Sequence, residues 1–254
     1  MMKRVHLATP NRVLVMLMLA TIVINGIAIY FSNAMISNIT KITCILVLLS
    51  LYFMVHQRMA NVFLTIFLFS FIGDAFYVFN LGDLSSKLST TFYLGSYCLL
   101  VFVLLGKFKR IKYEGLVSIY LIIVLLLNSY FMYILYGMLK DSFSDNVNLV
   151  LSICHGVLLI AMSFLAFAVY LSQETTQSII FLVMVCCFVF SDILNYICSL
   201  YVYYWVFEFV ANMLHLLSLA LLYTYVYNHH KIVKVKRREE LDPFIITNSD
   251  RLTA

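Results

Sequence analysis

Long apolar runs separated by short polar breaks are the main pattern along this chain. With a window of about twenty residues, enough for a helix to cross the hydrocarbon core, the runs fall at 13–31, 36–55, 60–79, 91–106, 115–136, 148–171, 178–199 and 204–227. Each predicts one membrane-spanning helix. The expected fold class is therefore all-α, a polytopic transmembrane helical bundle of eight spans. After residue 228 the stretch HHKIVKVKRREELDP turns charged. Residues 1–228 are read as a single transmembrane domain and 229–254 as a basic cytoplasmic tail, partly disordered.

The positive charges orient the array, because cytoplasmic loops retain Lys and Arg. With both termini inside, the cytoplasmic segments hold fourteen of the seventeen: Lys3, Arg4, Arg12, Arg58, Lys107, Lys109, Arg110, Lys112 and six from Lys231 to Arg251. The outer loops keep only Lys41, Lys87 and Lys140. Dropping one late span would export the basic tail, so the count favours eight spans over seven. The basic start leads into a spanning run with no small-residue cleavage site after it, and the first helix is expected to stay in the mature protein. The compact chain suggests a bacterial inner membrane.

Composition agrees with this reading. The chain is 63% hydrophobic and 11% charged, with a mean hydropathy of +0.98, outside the range of soluble domains. Its net charge of +5 follows the loop bias and implies no nucleic acid. The six cysteines all lie in apolar runs, without a CxxC pair or a Cys/His spacing suited to zinc, and read as packing residues. No cofactor is expected. A retinal protein would need a lysine deep in its last span, and no span has one at its centre.

Ionisable side chains inside the membrane are few and therefore informative. An aspartate at a helix centre costs about 2.5 kcal/mol or more on insertion scales, so such residues face the protein interior or a water-filled cavity. They are Asp74 on the third span, Asp192 on the seventh, Glu208 and His215 on the eighth, and His155 on the sixth. Asp74 and Asp192 each lie about fourteen residues from the cytoplasmic start of their helices, in the outer third. Glu208 and Lys41 enter at a similar level. Glu208, Asn212 and His215 follow i, i+4, i+7 spacing, and Asp192, Asn195 and Tyr196 follow i, i+3, i+4. These polar stripes predict an outward-opening polar pocket. Helix gluing is the competing role for each aspartate, snorkelling for Lys41 and interfacial solvation for Glu208. His155, apart in sequence from the other stripes, reads as a gluing residue.

From Lys41 to Tyr227 the chain resembles the YhhN family of eight-helix membrane proteins, which includes the mammalian lysoplasmalogenases. The resemblance lies in Lys41-Ile42, in FSFIGD with Gly73 and Asp74, in FYLGSY with Gly95, in FVFSD with Ser191 and Asp192, and in Ala211-Asn212. It departs where the family has proline after the lysine, where Val103 stands in place of a histidine, and where His215 is added. The resemblance implies hydrolysis of the vinyl-ether bond of a lysoplasmalogen, with a membrane lipid or lysolipid as partner.

Opening a vinyl ether needs an acid to protonate its β-carbon and a carboxylate to stabilise the oxocarbenium ion or activate water. Asp74 and Asp192 are the candidate catalytic pair, either one as acid. Lys41 is a candidate phosphate or headgroup contact, and Glu208, Asn212 and His215 complete the substrate-binding set. Two other classes stay open. One is a zinc hydrolase of the alkaline-ceramidase type drawing on His155, His215, Asp74, Asp192 and Glu208, although no spacing motif assigns a metal. The other is a transporter or sensor, hinted at by FSFIGD and FVFSD at equivalent places in two four-helix halves.

Overall fold

A computed structural model describes residues 12–31, 34–55, 59–79, 82–108, 115–142, 146–173, 175–200 and 204–251. Among these residues the regular elements are all α-helices: α1 (Arg12–Tyr30), α2 (Ala34–Val55), α3 (Asn61–Phe79), α4 (Asp83–Phe108), α5 (Gly115–Ser142), α6 (Asn146–Gln173), α7 (Thr176–Leu200) and α8 (Trp205–Arg251). A helix satisfies every backbone polar group within its own segment, as a chain in lipid requires. Mid-helix hydroxyls do the same by bonding back one turn, as Thr40 Oγ1 does to the Ile36 carbonyl at 2.7 Å.

Six helices, α2, α3, α4, α6, α7 and α8, are long and apolar enough to cross a membrane. The chain is a multi-pass membrane protein. In α1 and α5 the apolar stretches are shorter, Leu14–Tyr30 and Ile122–Ile134. The apolar part of α8 ends at Asn228, while the helix itself continues to Arg251.

Helix packing does not follow chain order. Going round the bundle, α1 packs on α2, α2 on α3, α3 on α4, α4 on α6, α6 on α7, α7 on α8, and α8 back on α1. Seven helices thus close a ring, and α5 lies outside it against α6 and α7. The exposed apolar side chains of α5, Ile122, Leu126 and Tyr133 among them, fit a lipid-facing helix. Several pairings recur after a shift of four helices: α1–α2 with α5–α6, α2–α3 with α6–α7, α3–α4 with α7–α8, and α2–α8 with α4–α6.

The α3–α4 seam is the most constrained. Gly82, with φ of 89°, makes the turn between the two helices in a conformation that other residues rarely adopt. Ser85 donates to the Phe76 carbonyl and Ser89 Oγ to the Gly73 carbonyl at 2.8 Å. Ser70 and Ser96 share a hydrogen bond at 3.0 Å. Small residues allow this approach: a Cβ on Gly95 would stand 2.6 Å from the Phe69 ring.

One half of the ring is filled by apolar side chains. Leu48, Tyr52, Phe63, Ile66, Leu104, Phe181, Met184 and Tyr225 come from the late turns of α2 and α4, the end of the apolar part of α8, and the early turns of α3 and α7. Lys107 closes that end, donating to the Tyr225 hydroxyl with its ammonium 4.5 Å from the ring centre. The other half of the ring is not filled.

Candidate functional site

Alternating helix direction brings the first turns of α2, α4, α6 and α8 level with the last turns of α3 and α7. At that level lies a cavity of about 460 Å³. Its rim carries exposed Ser86 and Tyr77, and its deeper wall carries Asp74, Asp192, His155, His215 and Asn212, all buried. The six residues expected from the sequence, Asp74, Asp192, Lys41, Glu208, Asn212 and His215, all line it.

Asp74 is 3% exposed on α3. Its Oδ1 accepts a hydrogen bond from the Tyr93 hydroxyl of α4. The tyrosine ring can reach it because residue 73 is glycine: a Cβ there would lie 3.3 Å from three atoms of the Tyr93 ring. The other oxygen, Oδ2, lies 4.0 Å from His215 Nε2 of α8, too far for a direct hydrogen bond. Among the described residues neither atom has a hydrogen-bond partner.

Asp192 has a different set of neighbours. Its Oδ2 accepts from the Tyr97 hydroxyl at 2.8 Å and lies 3.0 Å from His155 Nε2. The Tyr196 hydroxyl lies 3.3 Å from His155 Nδ1. One assignment satisfies every group: Tyr196 donates to Nδ1, and Nε2–H donates to the carboxylate. Ser191, the preceding residue, donates to the Ala211 carbonyl at 2.8 Å and sets Asp192 in register with Asn212 across α7 and α8. Lys41 Nζ is 5.6 Å from the centre of the Tyr77 ring, near the mouth, a cation–π distance.

One expectation changes. His155, read as a gluing residue, is a wall residue of the cavity bonded to Asp192. Its distance along the chain from the other stripes did not matter, because α6 packs on both α4 and α7. The two aspartates do not pair with each other among the described hydrogen bonds. They are connected through α4, where Tyr93 and Tyr97, one turn apart, each serve one carboxylate. As to a metal, the two histidines are assigned to different carboxylates, and among the described residues no three His, Cys, Asp or Glu side chains group as ligands.

Sequence reasoning missed Tyr93 and Tyr97, and singled out His155 without its link to Asp192. The signals were present. Ser85, Ser89, Tyr93 and Tyr97 recur every fourth residue, and Asn148, Ser152 and His155 repeat the spacing of Glu208, Asn212 and His215. No family model, curated protein or solved structure matches this chain.

Proposed function

We propose that this protein is a YhhN-like membrane hydrolase that cleaves the vinyl-ether bond of a lysoplasmalogen, with Asp74 and Asp192 as the catalytic carboxylates. The observation that carries the reading is the presence of two buried carboxyl groups on one cavity, each beside its own tyrosine and histidine. The other half of the bundle is packed with aromatic and aliphatic side chains, so the cavity is a blind pocket suited to holding a substrate. The positive-charge bias turns its mouth to the outer face of the membrane. A lysolipid enters with its headgroup at the rim, near Lys41 and Glu208, and its ether bond at the depth of the aspartates.

The reaction adds water across the enol ether. Protonation of the β-carbon breaks the C=C π bond and gives an oxocarbenium ion, which a carboxylate stabilises; water then forms the new C–O bond, and the hemiacetal breaks down to aldehyde and alcohol.

The test is incubation of purified protein with a panel of lysolipids, including a vinyl-ether species, with mass spectrometry for aldehyde release. Asp74→Asn and Asp192→Asn should each lower turnover by about 100-fold or more while the protein still inserts, the usual size of a general acid or base contribution. Full activity in both variants would overturn the proposal.

A proton-coupled transporter is favoured by one observation, the continuous Tyr196–His155–Asp192–Tyr97 hydrogen-bond chain, which is of the kind that relays protons. Uptake or lipid-flipping assays in vesicles, run beside the hydrolysis assay, separate the two readings.

A further inference from the structure

We infer that Asp74 Oδ2 and His215 Nε2 together bind one hydroxyl group, and that in the hydrolytic reading, on which its chemical role rests, this group is the attacking water. Both side chains are more than nine-tenths buried, at 3% and 7% exposure, and both line the cavity. Both atoms lack a hydrogen-bond partner among the described residues. A buried polar atom is rarely left so, since desolvation without a bond costs about 1–3 kcal/mol, and two such atoms facing each other call for one shared ligand.

The spacing fits a single oxygen. An oxygen about 2.8 Å from each of two atoms 4.0 Å apart subtends an angle of about 90° between them. A hydroxyl can donate to the carboxylate while its lone pair accepts from Nε2–H, or, with the carboxyl protonated, accept from Oδ2–H while donating to an unprotonated Nε2, so either histidine tautomer is served. The neighbours hold the imidazole in place. Its ring stands edge-on to Tyr93 at 6.2 Å and to Phe188 at 5.8 Å between centroids. Ser218 Oγ, at 2.6 Å, donates to its carbonyl.

The two carboxylates therefore take different roles. Asp192 Oδ2 already accepts from Tyr97 and His155, which suits a fixed negative charge facing the oxocarbenium ion. Asp74 keeps one oxygen open. It gives a proton from Oδ2 to the β-carbon of the enol ether, becoming a carboxylate as the C–H bond forms and the C=C π bond breaks. The bound water then forms the C–O bond and passes a proton back to Oδ2. Collapse of the hemiacetal breaks the original C–O bond, the hydroxyl proton passing to the departing alcohol oxygen. Asp74 ends as it began, and no further reactant is consumed.

The experiment pairs density with kinetics. An atomic-resolution structure of the protein in lipid nanodiscs should show a peak within about 3.2 Å of both Asp74 Oδ2 and His215 Nε2, and soaking with a lysolipid should retain or replace it by a ligand hydroxyl. Direct contact of the two atoms with no peak would overturn the inference whatever the activity. His215→Phe keeps the ring packing and should lose the peak and lower kcat about 100-fold, with KM changed less than about threefold; His215→Gln, which retains a donor, should fall between. Wild-type kcat in His215→Phe would refute the role given to the water. A clear peak in a protein that cleaves no lysolipid supports the hydroxyl site and removes the hydrolytic reading, so the two failures are distinct.

Discussion

Deleting one hydroxyl from each tyrosine of α4 should have unequal consequences, because the two aspartates are unequally served. Tyr93 is the sole described hydrogen-bond donor to Asp74, so Tyr93→Phe leaves a carboxylate that is 3% exposed without a hydrogen bond from the protein. Leaving a buried acceptor without its hydrogen bond costs about 1–3 kcal/mol, and Asp74 has no second described donor to offset the loss. Tyr97→Phe removes a 2.8 Å bond from Asp192, but His155 still holds the same oxygen at 3.0 Å. The loss is then that of an ordinary interhelical bond, about 0.6 and at most about 1.7 kcal/mol. For a chain of this size each kcal/mol moves the thermal midpoint by about 2–4 °C, so Tyr93→Phe should lower it by about 2–12 °C and Tyr97→Phe by less, about 1–7 °C. Heating in detergent with a thiol-reactive fluorogenic dye measures this at one fixed scan rate, because Cys44 and Cys187 are buried and react as the bundle opens. Equal losses, or a larger loss for Tyr97→Phe, would refute the partner assignment.

Three further outcomes are expected. Gly95→Ala should destabilise the protein by about 1–3 kcal/mol, since its Cβ would meet the Phe69 ring at 2.6 Å. Gly137→Ala, with nothing within 4 Å of the new Cβ, should leave the midpoint unchanged or slightly raised, by about 0.5–1 kcal/mol of helix propensity; the same dye assay reads both. Ser86→Cys in a cysteine-free background places a thiol on the exposed cavity rim. A membrane-impermeant maleimide should label it from outside intact cells, and labelling only after lysis would reverse the orientation drawn from the lysines and arginines.

The helices were legible because their cause is local: runs of apolar residues about as long as the hydrocarbon core is thick. The clearest misreading of a boundary was at α4, expected from residue 91 and observed from Asp83. The stretch DLSSKLSTT looks like a loop by hydropathy. Ser85 and Ser89 instead bond backbone carbonyls of α3, so the polar face of that stretch is turned inward. For the site, Asp74 and Asp192 stood out because a lone carboxylate in an apolar run is costly and therefore rare. Tyr93 and Tyr97 did not, since tyrosine in a chain with eighteen of them looks like another apolar residue. Which histidine serves which aspartate was not readable from the chain at all. It depends on α4 packing against α6 instead of α5, a tertiary choice with no local signature.

The placement of both hydroxyls on α4 has a mechanical consequence. Tyr93 and Tyr97 sit on one rigid rod, so a small slide or roll of that rod changes both contacts at once, whereas a substitution at either tyrosine changes only one. The seam to α3, with its serine bonds and glycine clearances, then works as a bearing that limits such travel. Substitutions at the Phe69–Gly95 contact, which touches neither carboxyl, would act on both through α4.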